Sequence, residues 1–437
     1  MNLSQILSNF KIDSLNEMQN ATLAAAAEPK DVVLISPTGS GKTLAFLLPV
    51  LNLLNPGRKD VQVLIIVPSR ELAQQIESVF KQMGIAFKIN CCYGGHSVQT
   101  ERNNLSEPPA VLVGTPGRIA HHIRKGTLNL STTNCLVLDE FDKSLEAGFQ
   151  DEMSFIIKTM RRIDKRILTS ATHLQEIPGF AGLNDFTELN FTGDEAQVNE
   201  GLEVKWVRVP GDDKLDALLL LISKTGAQPT IVFCNHRDAV GRISEQLSRM
   251  SVPHGIYHGG LEQVDREKTL IKFRNGTFNL LISTDLAARG LDIPEIRVIV
   301  HYQVPMTEDA MIHRNGRTAR MNASGTAYFL LDKDEYLPPF LEITPEEEKL
   351  PSKVILPKAS EWKTLYISAG KKDKVNKMDV VGMLLQKGNL KKEELGKVDI
   401  LDHASFAAVK SDKIVKTLQL IKDERIKNKK VKIEISS

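Results

Sequence analysis

Between Asp31 and Phe191, short runs of consecutive apolar, often β-branched residues alternate with stretches in which apolar positions recur every three to four residues. The runs are VVLIS, VLIIVPS (63–69), FKINCCY (87–93), AVLVG (110–114), CLVLDE (135–140), RILTSAT (166–172) and ELNF (188–191). Runs that are apolar on both faces predict strands buried in a parallel sheet. The stretches between them, such as ELAQQIESVFKQM after Arg70, predict helical crossovers packed on its two faces. The looser acidic segment FTGDEAQVNEGLE (191–203) predicts a linker. A second alternation follows in PTIVFCN, GIYHGG, FNLLISTD, RVIVHYQV and GTAYFLL. Residues 334–360, rich in Pro and Glu, predict a connector, and beyond them the pattern reads β-α-β-β-α-β. The expected fold is α/β: parallel-sheet domains at 1–195 and 196–333, a linker at 334–360, and a small α+β domain at 361–437. No tandem repeat of 20–50 residues appears in the sequence.

Composition narrows the class. A chain of 437 residues, 42% hydrophobic and 25% charged, fits a soluble multi-domain protein. No apolar stretch reaches about 18 residues, and no basic region leads into an apolar run at the N-terminus, so neither a membrane span nor a signal peptide is expected. Cys91, Cys92, Cys135 and Cys234 show no CxxC spacing, which predicts reduced thiols in a cytoplasmic protein. The net charge of +2 is unevenly spread. Ser352–Ser437 holds about 20 Lys and Arg against about 11 Asp and Glu, roughly +9, which leaves roughly −7 on the remainder. A basic terminal module on a mildly acidic body points to a polyanion.

The candidate chemistry begins in SPTGSGKT, Ser36 to Thr43, where an apolar run feeds a glycine turn that opens into an apolar helix. Gly39 and Gly41 let backbone N–H groups converge with Thr38 and Ser40 on phosphate oxygens at a helix N-terminus. Lys42 is suited to the β/γ-phosphates of ATP and Thr43 to Mg²⁺. Ser36 stands where the generic pattern has Gly. LVLDEFD sets Asp139, Glu140 and Asp142 at a strand's carboxyl end, with Asp139 suited to hold the metal partly through water and Glu140 to polarise the attacking water. In HRNGRTAR (313–320), Arg314, Arg317 and Arg320 fall at spacings of three, predicting one helical face able to stabilise a phosphoryl transition state. STDLAARGLD adds Asp285, Arg289, Gly290 and Asp292. With half a site in each domain, closure of the cleft would complete it.

The full set of runs resembles the DEAD-box ATP-dependent RNA helicases, superfamily-two enzymes with two RecA-like lobes. The matching runs are SPTGSGKT, PSRELA (68–73), GG (94–95), TPGR (115–118), DEFD (139–142), SAT (170–172), IVFCNHR (231–237), HGG with QVDR (258–266), STDLAARGLD and HRNGRTAR, in the family's order from about Gln19 to Arg320. The resemblance implies an ATP site of Gln19, Thr38 to Thr43, Gly290 and Asp292. It implies catalysis by Lys42, Asp139, Glu140, Arg317 and Arg320, with Thr43 and Asp139 as Mg²⁺ ligands. Asp142, Ser170, Thr172 and His313 are implied to couple hydrolysis to strand separation. Pro68, Arg70, Gly94, Gly95, Thr115, Arg118, Arg237, Arg266 and Thr284 are implied to hold RNA backbone, which gives affinity without sequence choice. Three departures stand out: Phe141 replaces the name motif's Ala, Ser69 replaces Thr, and DSLNEMQ around Gln19 lacks the usual Pro-Thr pair. Phe141 is expected to alter packing and leave the acids intact.

The tail, from TLYISAGKKDKVNKMDVVGMLL to KKVKIEIS, resembles the RRM-like RNA-binding domain of the DbpA group, which implies docking on large-subunit ribosomal RNA during ribosome assembly. Tyr366 and Phe406 are candidates either for base stacking or for core, and Lys371, Lys372 and Lys374 for phosphate contacts. The expected activity is RNA-stimulated ATP hydrolysis that separates short duplexes, in a cytoplasmic monomer acting on pre-ribosomal particles. An ATP-controlled RNA clamp and a general helicase of RNA turnover share the same motifs and stay open at this level.

Overall fold

The computed structural model describes residues 3–95, 98–174, 176–192, 201–211, 213–288, 296–318, 324–341, 344–356 and 359–436. The chain divides into two compact units, one running to Gly201 and the other holding most residues from Leu202 onward.

In the first unit, helices α1 (Leu3–Phe10) and α2 (Glu17–Ala27) precede β1 (Asp31–Ile35), α3 (Lys42–Leu53), β2 (Val63–Ile66), α4 (Arg70–Gln82), β3 (Ile89–Cys92) and α5 (Val98–Leu105). Then come β4 (Val111–Gly114), α6 (Pro116–Arg124), β5 (Cys135–Leu138), α7 (Phe141–Glu146), α8 (Gln150–Thr159), β6 (Lys165–Ser170) and β7 (Phe186–Asn190). The strands form one parallel sheet in the order β3-β4-β2-β5-β6-β1-β7. Central strands β2 and β5 are buried on both faces because each is apolar at every position. Val63 and Ile65 pack into the core under α3 and α4, and Leu64 and Ile66 into the core under α6 and α8. Phe141 lies in that second core with its ring 6.1 Å from Phe180, so the large side chain is absorbed by packing.

The second unit opens with β8 (Leu202–Arg208), α9 (Lys214–Thr225), β9 (Thr230–Phe233), α10 (Arg237–Arg249), β10 (Gly255–Tyr257) and α11 (Gln263–Arg274). It continues with β11 (Leu280–Ser283), β12 (Val298–His301), α12 (Glu308–Asn315), β13 (Gly325–Leu331) and β14 (Glu346–Glu347). The sheet order is β10-β11-β9-β12-β13-β8-β14, all parallel. Counted along each unit, this is the same order as in the first sheet, strand for strand, although no sequence repeat signals it. Two expectations change here. β8 begins inside the segment read as a linker, and β14 lies inside the Pro/Glu connector. That connector is tied to the sheet: Glu348 N–H donates to Trp206 O at 2.7 Å, and its carboxylate meets Lys205 at 3.2 Å and Lys224 at 2.5 Å.

The small domain comprises β15 (Trp362–Ile367), α13 (Lys377–Gly382), β16 (Leu395–Ile400), β17 (Ser405–Lys410), α14 (Ile414–Ile421), the short pair β18 (Arg425–Ile426) and β19 (Lys429–Lys430), and β20 (Ile433–Ile435). Its antiparallel sheet has the order β16-β17-β15-β20. Leu365, Ile367, Ala407 and Val409 face the core with Val380, Ile414 and Ile421. By alternation, Thr364, Tyr366, Phe406 and Ala408 face the other way.

Candidate functional site

The glycine turn after β1 is built to cradle an anion. Gly39 (φ 85°) and Gly41 (φ 95°) adopt left-handed backbone, and Gly41 is the N-cap of α3. The φ of 95° favours glycine at 41, and a Cβ there would also come within 2.6 Å of Gln19 Nε2 and push that side chain aside. Lys42, first residue of α3, donates its ammonium to Ser36 O and Pro37 O, which holds it across the turn. Ser36 Oγ and Ser40 Oγ are linked at 2.8 Å, so the serine in place of the first glycine braces the turn. The buried Thr38 hydroxyl has no hydrogen-bond partner among the described residues. Gln19 forms a reciprocal capping box with Asn16 at the start of α2, and Asn16 Nδ2 donates to Ser40 O at 3.0 Å. Gln19 Nε2 lies 3.4 Å from Gly41 O, so α2 is fastened to the turn.

The acids follow β5. Asp139 is buried and accepts from the Thr169 hydroxyl and from Glu140 N at 3.2 Å. Burial raises its pKa above the usual carboxylate range, opposed by the Thr169 hydrogen bond and then by the nearby Lys42 ammonium. Such a group favours a cationic neighbour. Glu140 has left-handed backbone (φ 48°) at the N-cap of α7, which turns the chain sharply between Asp139 and the helix. Asp142 is joined to the SAT run by Thr172 Oγ1 at 3.4 Å, and Ser170 Oγ donates to Thr172 O at 2.6 Å.

Three loops at the carboxyl ends of β2, β3 and β4 carry Pro68 and Arg70, Gly94 and Gly95, and Thr115 and Arg118. Ser69 caps α4, its hydroxyl accepting from Leu72 N at 3.2 Å, so the change from Thr retains the cap. The Arg70 guanidinium lies 3.2 Å from where a Gly94 Cβ would stand. Arg118 Nε reaches Glu101 Oε2 at 3.1 Å and Tyr93 O at 3.3 Å.

In the second unit, Arg237 opens α10 after β9, the His258–Gly260 turn follows β10, Arg266 lies on α11, and Thr284 follows β11. Arg237 Cδ stands 3.7 Å from a Gly260 Cβ position. Burial, then the positive Arg237 and Arg266, lower the pKa of His258, which sets both arginines beside that ring. The arginine run departs from expectation. α12 ends at Asn315, so Arg314, on the helix, and Arg317, in the turn beyond it, do not share a helical face. Arg314 is fully buried, with Nε on Asp285 Oδ1 at 2.5 Å, Nη1 on Gln303 O at 3.0 Å and Nη2 on Asn235 Oδ1 at 2.7 Å. It is a core residue. Arg317 and His313 are also buried. Arg289, Gly290, Asp292 and Arg320 lie outside the described residues.

Comparison with known proteins agrees with this geometry. Residues 16–177 match the DEAD/DEAH box helicase model, 213–322 the helicase conserved C-terminal domain, and 364–435 the DbpA RNA binding domain. The chain is 30% identical to the ATP-dependent RNA helicase DbpA of Bacillus subtilis, covering 95% of this chain and 94% of that protein. It is 30% identical to DbpA of Escherichia coli over 98% of each. This chain belongs to the DEAD-box ATP-dependent RNA helicases, in their DbpA group. The structure of Saccharomyces cerevisiae Dbp5 bound to RNA and ADP BeF3 superposes with a TM-score of 0.67 at 26% identity, covering 76% of this chain and 88% of that one.

The helicase's C-terminal sheet decides one open alternative. Phe406 is only 1% exposed and its ring lies 5.5 Å from Tyr366, so it is packed and not offered for stacking. The cause is a contact of this sheet face with the helicase lobe of the same unit. Thr364 Oγ1 meets Thr277 Oγ1 at 2.7 Å and Asn275 Nδ2 at 3.2 Å, Ser360 Oγ donates to Gly276 O, and the Lys268 ammonium lies 5.9 Å from the Tyr366 ring. Lys371, Lys372 and Lys374 are exposed on the short turn after β15. Sequence reading missed Thr169, Glu101 and His122. The first adjoins a motif; the others sit on helices whose spacing carries no motif.

Proposed function

We propose that the helicase uses ATP and Mg²⁺ to separate short RNA duplexes or remodel RNA structure in the assembly of the large ribosomal subunit. The match of all three modules to DbpA over nearly the whole chain carries this reading, together with the roughly +9 tail. In the mechanism, the Thr38–Thr43 turn and Lys42 bind the phosphates of ATP. Thr43 and Asp139 would hold Mg²⁺, which supplies charge neutralisation at the phosphoryl group. Glu140 takes the proton of the attacking water. Arg317, in the second unit, and Arg320 stabilise the spread charge of the transition state, so turnover depends on ATP and RNA bringing their action to the first unit's site. Gly290 and Asp292 add nucleotide contacts, and Asp142, Ser170, Thr172 and His313 relay hydrolysis to the RNA. Pro68, Arg70, Gly94, Gly95, Thr115, Arg118, Arg237, Arg266 and Thr284 grip RNA backbone, and Lys371, Lys372 and Lys374 hold the phosphates of the selected ribosomal segment. The same reading has the protein working in the cytoplasm as a monomer on pre-ribosomal particles.

The test is the RNA concentration giving half-maximal ATPase for a large-subunit ribosomal RNA fragment and for a scrambled RNA. It compares the parent with the full-length triple variant Lys371→Glu, Lys372→Glu, Lys374→Glu. The parent should prefer the ribosomal fragment and the variant should lose that preference while keeping its response to the scrambled RNA. Equal preference in both proteins would remove the lysine turn from substrate choice. Strand displacement measured on the same samples separates an unwinding enzyme from a clamp.

A further inference from the structure

Two of the first unit's proposed RNA-holding loops meet at one buried carboxylate, Glu101. It lies on α5 and is 6% exposed. Its Oε1 accepts from Tyr93 N at 3.1 Å, immediately before Gly94 and Gly95. Its Oε2 takes Arg118 Nε at 3.1 Å and His122 Nε2 at 2.8 Å. His122 is fully buried on α6, and its other nitrogen is 2.8 Å from Thr127 Oγ1. Tyr93 in turn extends the set toward α4, since Gln74 Nε2 donates to its hydroxyl at 2.6 Å. One side chain therefore fixes the backbone of the GG loop and the guanidinium of the TPGR loop, with an imidazole clamping it from behind. A buried carboxylate with three donors has one low-energy orientation, and a side chain hydrogen-bonded to it shares that rigidity.

A metal is the obvious rival, because ligand atoms of Cys92, Glu101 and His122 all lie within 4.8 Å of one another. The donor set argues against it. Both carboxylate oxygens and both ring nitrogens are engaged within the protein, Arg118 adds a positive charge at the same oxygen, and burial pushes the Cys92 thiol far above its usual range, so the metal-binding thiolate is disfavoured.

We propose that Glu101, backed by His122, is a positioning residue for the RNA grip: it sets Arg118 and the Gly94–Gly95 loop in the geometry that receives a phosphate, and acts on RNA through them. The proposal rests on the reading of Arg118 as an RNA contact. The experiment uses the full chain, generic single-stranded RNA, and RNA-stimulated ATPase at several salt concentrations for Arg118→Ala, Glu101→Ala and the double variant. Glu101→Ala should raise the half-saturating RNA concentration about tenfold, as Arg118→Ala does, with kcat at saturating RNA changed less than about twofold. The double variant should be no worse than Arg118→Ala alone, and each variant should reduce the slope of log affinity against log salt by about 0.7, one single-strand phosphate contact. Glu101→Gln keeps an acceptor for Tyr93 N but turns an amide N–H toward Arg118 and His122, so it should recover only the smaller part of the loss. If Glu101→Ala does not fold, the same cycle is run with Glu101→Gln. Effects that multiply in the double variant, or a fall in kcat and ATP affinity that accompanies the loss of RNA affinity, would overturn the positioning role. An Arg118→Ala that binds RNA as well as the parent would instead sink the underlying assignment of Arg118.

Discussion

The two parallel sheets share one strand order but differ in what stands at the carboxyl ends of their strands. After the second, third and fourth strands they match. Arg70 and Arg237 each open the following helix, Gly94–Gly95 and Gly259–Gly260 follow the third strand, and Thr115 and Thr284 follow the fourth. After the first and fifth strands they diverge. The first sheet has the glycine turn with Lys42, then Asp139 and Glu140. In the second, Lys214 also opens the first helix, but Asp213 caps that helix by accepting from Leu215 N at 2.8 Å. Lys214 is held by Tyr302 O at 3.0 Å and by Glu335. An acid already seated on a helix N-terminus repels phosphate from the place where an anion would bind. The fifth strand ends in His301, stacked on Phe329 at 4.4 Å. The difference teaches that, among the described residues, the scaffold repeats the proposed backbone grip but sets the proposed hydrolytic residues in the first sheet alone.

That contrast can be broken at several levels. Glu140→Gln should lower kcat by about 10²–10⁴ with ATP affinity nearly unchanged, since the base is lost and the phosphate turn remains. Parental turnover in that variant would remove Glu140 from the chemistry. Lys42→Ala should weaken ATP binding by roughly tenfold to a hundredfold, the scale of a lost charge-assisted hydrogen bond. Its structural counterpart Lys214→Ala should leave the ATP Kd alone and lower the unfolding temperature. A similar loss of ATP affinity in both would mean that the second sheet also binds nucleotide. Arg70→Ala and Arg237→Ala should each weaken RNA binding about tenfold and by comparable amounts, each trimming the salt dependence by about 0.7 in slope. A loss confined to one of them would end the symmetry of the grip.

The smallest effect concerns stability. Burial, with Arg314 nearby, pushes the pKa of His301 down to about 3 from an ordinary 6.5. The unfolded chain takes up a proton as pH falls through about 6.5, and the native state does not until about 3, so stability is lost across that window. The loss should be about 2 kcal/mol at pH 5. Denaturant titrations at pH 7 and pH 5 should show this difference in the parent and less of it in His301→Gln.

Much of this was legible in the chain because its chemistry is contiguous. SPTGSGKT and DEFD each carry strand end, turn and functional side chains in one run, and the runs that form β1, β2, β4 and β5 are apolar at nearly every position. β8 was hidden because LEVKWVR mixes charged with apolar residues beside an acidic segment, and β14 because two glutamates pair through backbone alone. The sequence left Phe406 open between stacking and core, because nothing local to it signals that a neighbouring lobe is packed against its sheet face. Spacing suggested one helical face for Arg314 and Arg317, and the early end of α12 removed it. Glu101 and His122 become partners only because β3 and β4 are adjacent in the sheet, a fact of topology with no local signal.

The central claim is that hydrolytic chemistry built once, in the first unit, needs a residue of the second to turn over. The direct measurement is ATP affinity and RNA-stimulated kcat for Arg317→Ala in the intact chain. The account predicts an ATP Kd within about twofold of the parent and a kcat lower by about 10³ or more, the scale of a missing arginine finger. A variant that hydrolyses ATP at the parental rate with RNA bound would contradict it.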